Sequence, residues 1–251
     1  MSDPKRPEME ELQTRLQEET GQETPQSRSN EIQPENRWQE FLFWGYILLA
    51  LAGSAVLSLF AFQTPFLSFD PPITLALQSF NPGWFSTLMV IVSWPGYVPQ
   101  AVVLLVVIVA LIYFLGYRWE ALMALLSAVS AEAVDIIVKT VVHQPRPKPS
   151  LVHVVRILRS YSFPSGHVMF FMGFYAFLWY LSYKVLQPSW LRTFFLYLFG
   201  AMVVLVGASR IYLGEHWFSD VLGAYILGSV VLLLMIRFYN WGRPRFLRGM
   251  E

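Results

Sequence analysis

Three short clusters bring together residues whose types and spacing suit a single reaction. They are Lys139-Thr-Val-Val-His-Gln-Pro-Arg146-Pro147, Tyr161-Ser-Phe-Pro164-Ser165-Gly166-His167 and Ser209-Arg210-Ile-Tyr-Leu-Gly-Glu-His216-Trp-Phe-Ser-Asp220. Arg146 and Arg210 offer planar forks that match phosphate oxygens, and Lys139 adds a point charge. Ser165, Gly166 and His167 open an apolar helical stretch. A helix start directs unpaired N–H groups and the positive end of a dipole toward an anion. His216 and Asp220 are four residues apart, so on a helix they share a face. The carboxylate then keeps one imidazole nitrogen protonated and leaves the other free to attack. His167, on another element, is available as the general acid that protonates a leaving oxygen. The chemistry these types and spacings suit is phosphoryl transfer.

A metal centre is the competing reading, since His216 and Asp220 could supply two ligands. Three cations aimed at one spot repel a divalent ion and neutralise a phosphate, which favours metal-free chemistry. No metal and no cofactor is expected. Asp135, four residues before Lys139, reads as its orienting partner; Glu132 shares that face without an assigned role. Glu215 reads as a rim residue beside His216. Lys148, Arg156 and Arg159 read as snorkelling or headgroup anchors, and His143 and His153 as loop histidines.

The elements that carry these clusters cross a membrane. Hydrophobic residues make up 55% of the 251 and charged ones 14%, against about 25% charged in a soluble domain; mean hydropathy is +0.45. Apolar blocks of spanning length, about 20 residues, lie near 41–62, 97–117, 119–139, 166–184, 191–209 and 218–238. The expected fold is all-α, a six-transmembrane-helix bundle with the active site at one membrane face. Asp70-Pro71-Pro72, Asn81-Pro82-Gly83 and Trp94-Pro95-Gly96 break the stretch between the first two spans. Ile73, Leu77 and Phe80 share a face there, with Trp84 and Trp94 nearby, which predicts an interfacial helix.

The net charge of +1 excludes a strongly basic surface and with it a nucleic-acid partner. It sums unlike parts. Residues 1–37 hold nine acids and five bases and read as a disordered acidic tail, with only Met9, Leu12 and Leu16 as a thin apolar stripe; residues 38–251 hold 13 bases and eight acids. The absence of cysteine excludes disulfides and thiolate chemistry. With six spans both termini share a side. The tail bases, Arg118, Lys184, Arg192, Arg237, Arg243, Arg245 and Arg248 make it the cytoplasmic side of a multi-pass protein, here expected in the cell (inner) membrane. Lys139, Arg146 and Arg210 fall on the opposite, outer side, against the rule. Bases not needed for orientation mark the active site.

Lys139-x6-Arg146-Pro147, Pro164-Ser165-Gly166-His167 and Ser209-Arg210-x5-His216-x3-Asp220 resemble, position for position, the three signature motifs of the type-2 phosphatidic acid phosphatase superfamily, which also includes vanadium haloperoxidases. The motifs cover about a third of the chain, and three ordered elements of fixed spacing are more specific than any single pattern. The six-span layout is similar to the membrane-bound branch. The resemblance implies that residues 38–251 form a lipid phosphate phosphatase needing no divalent metal. His216 would become a phosphohistidine supported by Asp220, and His167 would protonate the leaving group and then activate water. Lys139, Arg146, Ser165, Gly166, Ser209 and Arg210 would hold the phosphoryl oxygens. Phosphatidic acid, lysophosphatidic acid, phosphatidylglycerol phosphate and a polyprenyl diphosphate share the phosphate such a site binds. Two alternatives stand beside hydrolysis: phosphotransfer to an acceptor alcohol, and a non-catalytic membrane scaffold or transporter with a phosphate site.

Overall fold

The computed structural model describes residues 34–248, so the tail up to residue 33 and the Met9 to Leu16 stripe lie outside the described residues. Regular structure among the described residues is helical throughout. In chain order it comprises α1 (Pro34–Gln63), α2 (Asp70–Ser79), α3 (Gly83–Ser93), α4 (Val98–Phe114), α5 (Arg118–Val142), α6 (Gly166–Val185), α7 (Trp190–Tyr212) and α8 (Phe218–Arg248). α1 starts four residues inside the expected tail, with Pro34 at the first helical position, where a missing N–H costs nothing.

Helices α1, α5, α6, α7 and α8 are each long and apolar enough to cross a bilayer; α3 and α4 form a bent pair turning by 62°. The bend falls at Trp94-Pro95-Gly96, a single 3₁₀ turn, as the breakers predict. The other two breakers bound α2 and α3, so two helices, not one, occupy the segment expected to hold a single interfacial helix. α8 runs ten residues past the expected end at 238. Arg243 and Arg245 therefore sit on the helix itself, which passes through Pro244.

α6 is the central helix. Seventy-two per cent of its most apolar window is buried, against 22–39% for the other single spans. It packs on α5, α7 and α8. Ala124, Ala128 and Ala131 recur at helical spacing on the buried face of α5, and small side chains let helices approach closely in a bilayer. Phe170, Phe171, Phe174 and Phe177 fill the interior beside them. One turn of α6, Phe171–Tyr175, is π-helical. On the outside, Val103 and Val106 of α4 and Ile137 and Val141 of α5 are exposed, as residues facing lipid should be.

One end of the bundle is stitched by polar contacts that fix its loops. α5 stops where His143 takes a left-handed conformation (φ 55°) and donates its N–H to the Lys139 carbonyl at 3.2 Å; Pro145, Pro147 and Pro149 prevent resumption. The loop from 143 to 165 is then tied to α2 and to the turn after α7. Gln78 Nε2 donates to the carbonyls of His153 (2.7 Å) and Tyr212 (2.9 Å), and its Oε1 accepts the His153 N–H at 3.0 Å. Val155 N–H donates to the Leu213 carbonyl at 3.0 Å. Gly214 sits at φ +64°, where any Cβ would collide with the His153 carbonyl, so this junction requires glycine. At the opposite end Glu120 of α5 accepts Tyr239 Oη (2.9 Å) and Arg243 Nε (3.1 Å) of α8.

Candidate active site

Residues from all three polar clusters meet at a cavity of about 580 Å³. Lys139, Arg146, Gly166, His167 and His216 line its polar part. Val98 and Val102 of α4 and Val129 and Ile136 of α5 are among its apolar walls.

Lys139 stands in the last turn of α5, where its Nζ is ion-paired with Asp135 and donates to the Pro164 carbonyl at 2.7 Å. Asp135 is thus the partner the four-residue spacing implies. Gly166 lies against this pair: a Cβ there would come to 3.2 Å from Asp135 Oδ2 and 3.3 Å from Lys139 Nζ. Ser165, in extended conformation (φ −73°, ψ 111°), is the N-cap of α6. Its buried hydroxyl has no protein partner, and neither does His167 Nε2. The His167 ring hydrogen-bonds the Ser93 backbone, which by elimination engages Nδ1.

Arg146 is held on three sides. Its Nε donates to the Ser160 carbonyl (2.8 Å), Nη2 to Ser160 Oγ (2.9 Å), and Nη1 to the Glu215 carbonyl (2.6 Å). Nη1 also lies 2.9 Å from His216 Nε2. A guanidinium has only donors, so Nε2 accepts and Nδ1 carries the proton, 3.4 Å from Asp220 Oδ2. Burial, then the Arg210 cation, push the Arg146 guanidinium down to about 10, still charged at neutral pH. His216 lies in the turn between α7 and α8. Burial, followed by Arg146, Arg210 and Lys139, holds its pKa well below the ordinary imidazole range. The site therefore presents a neutral imidazole with a lone pair on the cavity side and cations around it. Such a group can attack an electrophilic phosphorus.

Asp220, in the first turn of α8, is positioned by more than His216. Its Oδ2 also accepts Ser162 Oγ at 2.5 Å and the Trp217 N–H at 2.8 Å. Asp70, at the start of α2, supports the next residue back: Oδ1 accepts the Ser219 N–H and Oδ2 accepts Ser219 Oγ, both at 2.8 Å. Ser162 and Asp70 lie 58 and 150 residues before Asp220, so no spacing rule reveals them.

Arg210 is fully buried beside the cavity, ion-paired with Glu215 through Nη2 and donating from Nη1 to Ser93 Oγ at 2.5 Å. Its Nε has no protein partner. Glu215 is thus no rim residue; it is 1% exposed, and its second oxygen accepts Tyr97 Oη at 3.1 Å. A buried guanidinium and carboxylate compensate each other's desolvation where they hydrogen-bond. Tyr97, just after the helix break, is a hub: its ring meets His167 edge-on at 4.9 Å and lies 5.6 Å from the Arg210 guanidinium carbon. Ser209 is placed differently from the other motif residues. Its buried hydroxyl donates to the Val206 carbonyl of its own helix at 2.8 Å. His143 packs edge-on against Tyr161, and His153 engages Gln78 through its backbone. Neither lines the cavity; Glu132 does. Arg156, read from the sequence as a snorkelling or headgroup anchor, is exposed and lies over the Tyr97 ring on the cavity wall.

The comparisons converge on one family. The profile of the PAP2 superfamily matches residues 120–244. Phosphatidylglycerophosphatase B of Bacillus subtilis (strain 168) is 30% identical over 197 residues, covering 78% of this chain and 90% of that protein. Among solved structures, the transmembrane PAP2-type phosphatidylglycerolphosphate phosphatase from Bacillus subtilis superposes with a TM-score of 0.66 at 25% identity, over 76% of this chain and 94% of that one. Aquifex aeolicus LpxE shares the fold at a TM-score of 0.50 and 20% identity, over 68% and 96% of the two chains. The chain belongs to the PAP2 superfamily and is a multi-pass membrane lipid phosphatase.

Proposed function

We propose that this phosphatase hydrolyses a lipid phosphate or diphosphate at the outer face of the cell membrane through a phosphohistidine on His216, without a divalent metal. One observation carries the mechanism. His216 faces the cavity with Nε2 as an acceptor, while its Nδ1 faces Asp220. In the first half-reaction Nε2 attacks the terminal phosphorus, the P–O bond to the lipid alcohol or, in a diphosphate, to the lipid monophosphate breaks, and His167 delivers a proton to the departing oxygen. In the second, His167 takes a proton from water as the hydroxyl oxygen attacks phosphorus and the P–N bond breaks, releasing inorganic phosphate and free His216. Lys139, Arg146 and Arg210 offset the charge on the equatorial oxygens, with donors from Ser165 and the Gly166 backbone. Arg146 must exchange its bond to His216 Nε2 for one to phosphate as substrate arrives. Ser209 acts through the backbone of its helix, since its hydroxyl is already engaged.

The cavity suits a substrate anchored in a bilayer. Its walls on α4 and α5 are apolar next to the cationic end, which matches a headgroup attached to chains. We take α3 and α4 together as one of six spans, with α2 at the interface, both termini cytoplasmic and the cavity outward; the distribution of basic residues supports this orientation. Phosphatidylglycerol phosphate is the first substrate to test, given the name of the curated relative.

The deciding experiment measures phosphate release by purified protein in detergent. Phosphatidylglycerol phosphate, phosphatidic acid, lysophosphatidic acid and a polyprenyl diphosphate form the panel, with and without EDTA. Turnover should persist in chelator and vanish in His216→Ala; strong EDTA inhibition or an active His216→Ala enzyme contradicts the mechanism.

A further inference from the structure

Arg156 is the basic residue of the cavity wall that the three motifs do not explain. Its guanidinium carbon lies 4.8 Å from the centroid of the Tyr97 ring. A guanidinium held over a ring by cation–π attraction has five N–H donors, and the ring contact leaves donors for an anion. Among the described residues Arg156 forms no ion pair with a carboxylate, in contrast to Lys139 and Arg210, which pair with Asp135 and Glu215. The platform beneath it is fixed, because Tyr97 Oη donates to Glu215 and the ring abuts His167. The loop that carries it is fixed as well. Val155, the preceding residue, is bonded to Leu213, and Ser160 is clamped by Arg146. Tyr97 thus has the Arg210 guanidinium carbon at 5.6 Å and that of Arg156 at 4.8 Å. One guanidinium belongs to the proposed clamp for the scissile group, and the other lies outside it.

We propose that Arg156, held on Tyr97, forms a second anion subsite that receives a further phosphoryl group of the substrate beyond the one being cleaved. This rests on the lipid phosphatase mechanism above. The chemistry the subsite reads is a second negatively charged phosphoryl, supplied either by a diphosphate or by the phosphodiester of phosphatidylglycerol phosphate. A phosphatidic acid, with a single phosphoryl, leaves it unused.

The test compares kcat/KM on short-chain forms of three substrates: a prenyl diphosphate, phosphatidylglycerol phosphate and phosphatidic acid. The readout for each of the first two is its ratio to phosphatidic acid within the same preparation, so a loss of folded protein cancels. In Arg156→Ala at least one ratio should fall about ten-fold or more, as loss of a charge-assisted hydrogen bond implies, and which one falls identifies the source. Arg159→Ala, which removes a charge from the same loop but not from the cavity wall, should leave both ratios within about two-fold. Both ratios falling less than about five-fold in Arg156→Ala, total inactivity of that variant on all three, or an equal fall in Arg159→Ala overturns the proposal. If wild-type protein releases phosphate from none of the three, the underlying mechanism fails instead.

Discussion

Asp70 closes both carboxylate oxygens on Ser219, across 149 residues of sequence, with Oδ1 on the backbone N–H and Oδ2 on the hydroxyl. The contact caps the buried start of α8 from another helix and fixes the turn that presents Asp220. Orphan N–H groups at a buried helix start need partners of this kind. Asp70→Ala should therefore destabilise the protein by about 2–4 kcal/mol, read as a lower thermal midpoint in detergent, and should reduce kcat as Asp220 loses its register. Asp70→Asn, which keeps one acceptor for the Ser219 N–H, should recover part of both losses.

Ser162 donates to the same oxygen of Asp220 that faces His216. Removing the hydroxyl leaves that carboxylate less constrained and alters its hold on the imidazole. Ser162→Ala should lower kcat by about ten-fold, in the range seen when the partner of a ligating or orienting carboxylate is removed, with little change in KM. Steady-state kinetics on one lipid substrate separates the two. A loss confined to KM would show that Ser162 touches substrate instead.

Much of this site is legible in the sequence because its central groups have distinctive types at fixed spacing. Lys139 and Arg146 end one helix and begin a proline-rich loop, His167 opens α6, and His216 precedes Asp220 by four. The supporting residues are not legible. Ser93, Tyr97 and Asp70 are common types with no spacing to the motifs, and tertiary packing alone brings them in; Ser162 stands two residues before Pro164, but nothing in its type or position ties it to Asp220. Trp94-Pro95-Gly96 announces a break, but not that the break swings Tyr97 against His167. The role of Glu215 is hidden for a local reason. On a regular helix it would face away from His216, yet the turn after α7 folds back, with its N–H on the Arg210 carbonyl at 3.2 Å, and buries the carboxylate on Arg210. Spans near 41–62 to 218–238 are readable from apolar length, whereas the start of α1 inside the tail is not, because Pro34 and its polar neighbours read equally well as coil.

The Glu215 and Arg210 pair gives opposite effects on stability and affinity. Arg210 Nη2 is engaged by Glu215 in this structure, so a phosphoryl group that uses this nitrogen competes with the carboxylate. Glu215→Gln keeps the shape and removes the competing charge. Breaking a buried pair costs about 3–5 kcal/mol when one partner is deleted outright, and the isosteric amide should cost less. The thermal midpoint should drop while inorganic phosphate inhibits at lower concentration than in wild type. Differential scanning fluorimetry and product-inhibition kinetics on the same preparation check both signs. Weaker phosphate inhibition would show that Glu215 orients Arg210 for phosphate and does not compete with it.

His216 ties stability to pH in one direction. Burial, then Arg146, Arg210 and Lys139, keep its folded-state pKa well below the ordinary range, while in the unfolded chain it titrates near 6.5. As pH falls through about 6.5 the unfolded chain binds a proton that the folded protein refuses, so stability is present above that value and lost below it. At pH 5.5 the loss from this residue is at most about 1.4 kcal/mol. His216→Gln removes the titration and keeps a group able to face Arg146. The midpoint difference between wild type and His216→Gln, followed from pH 8 to pH 5.5, should therefore shift toward the variant as the medium is acidified. A difference that moves toward wild type on acidification would instead mean that the imidazole is held protonated in the folded protein. It could then not offer Nε2 as a nucleophile, and His167 would become the better candidate for attack on phosphorus.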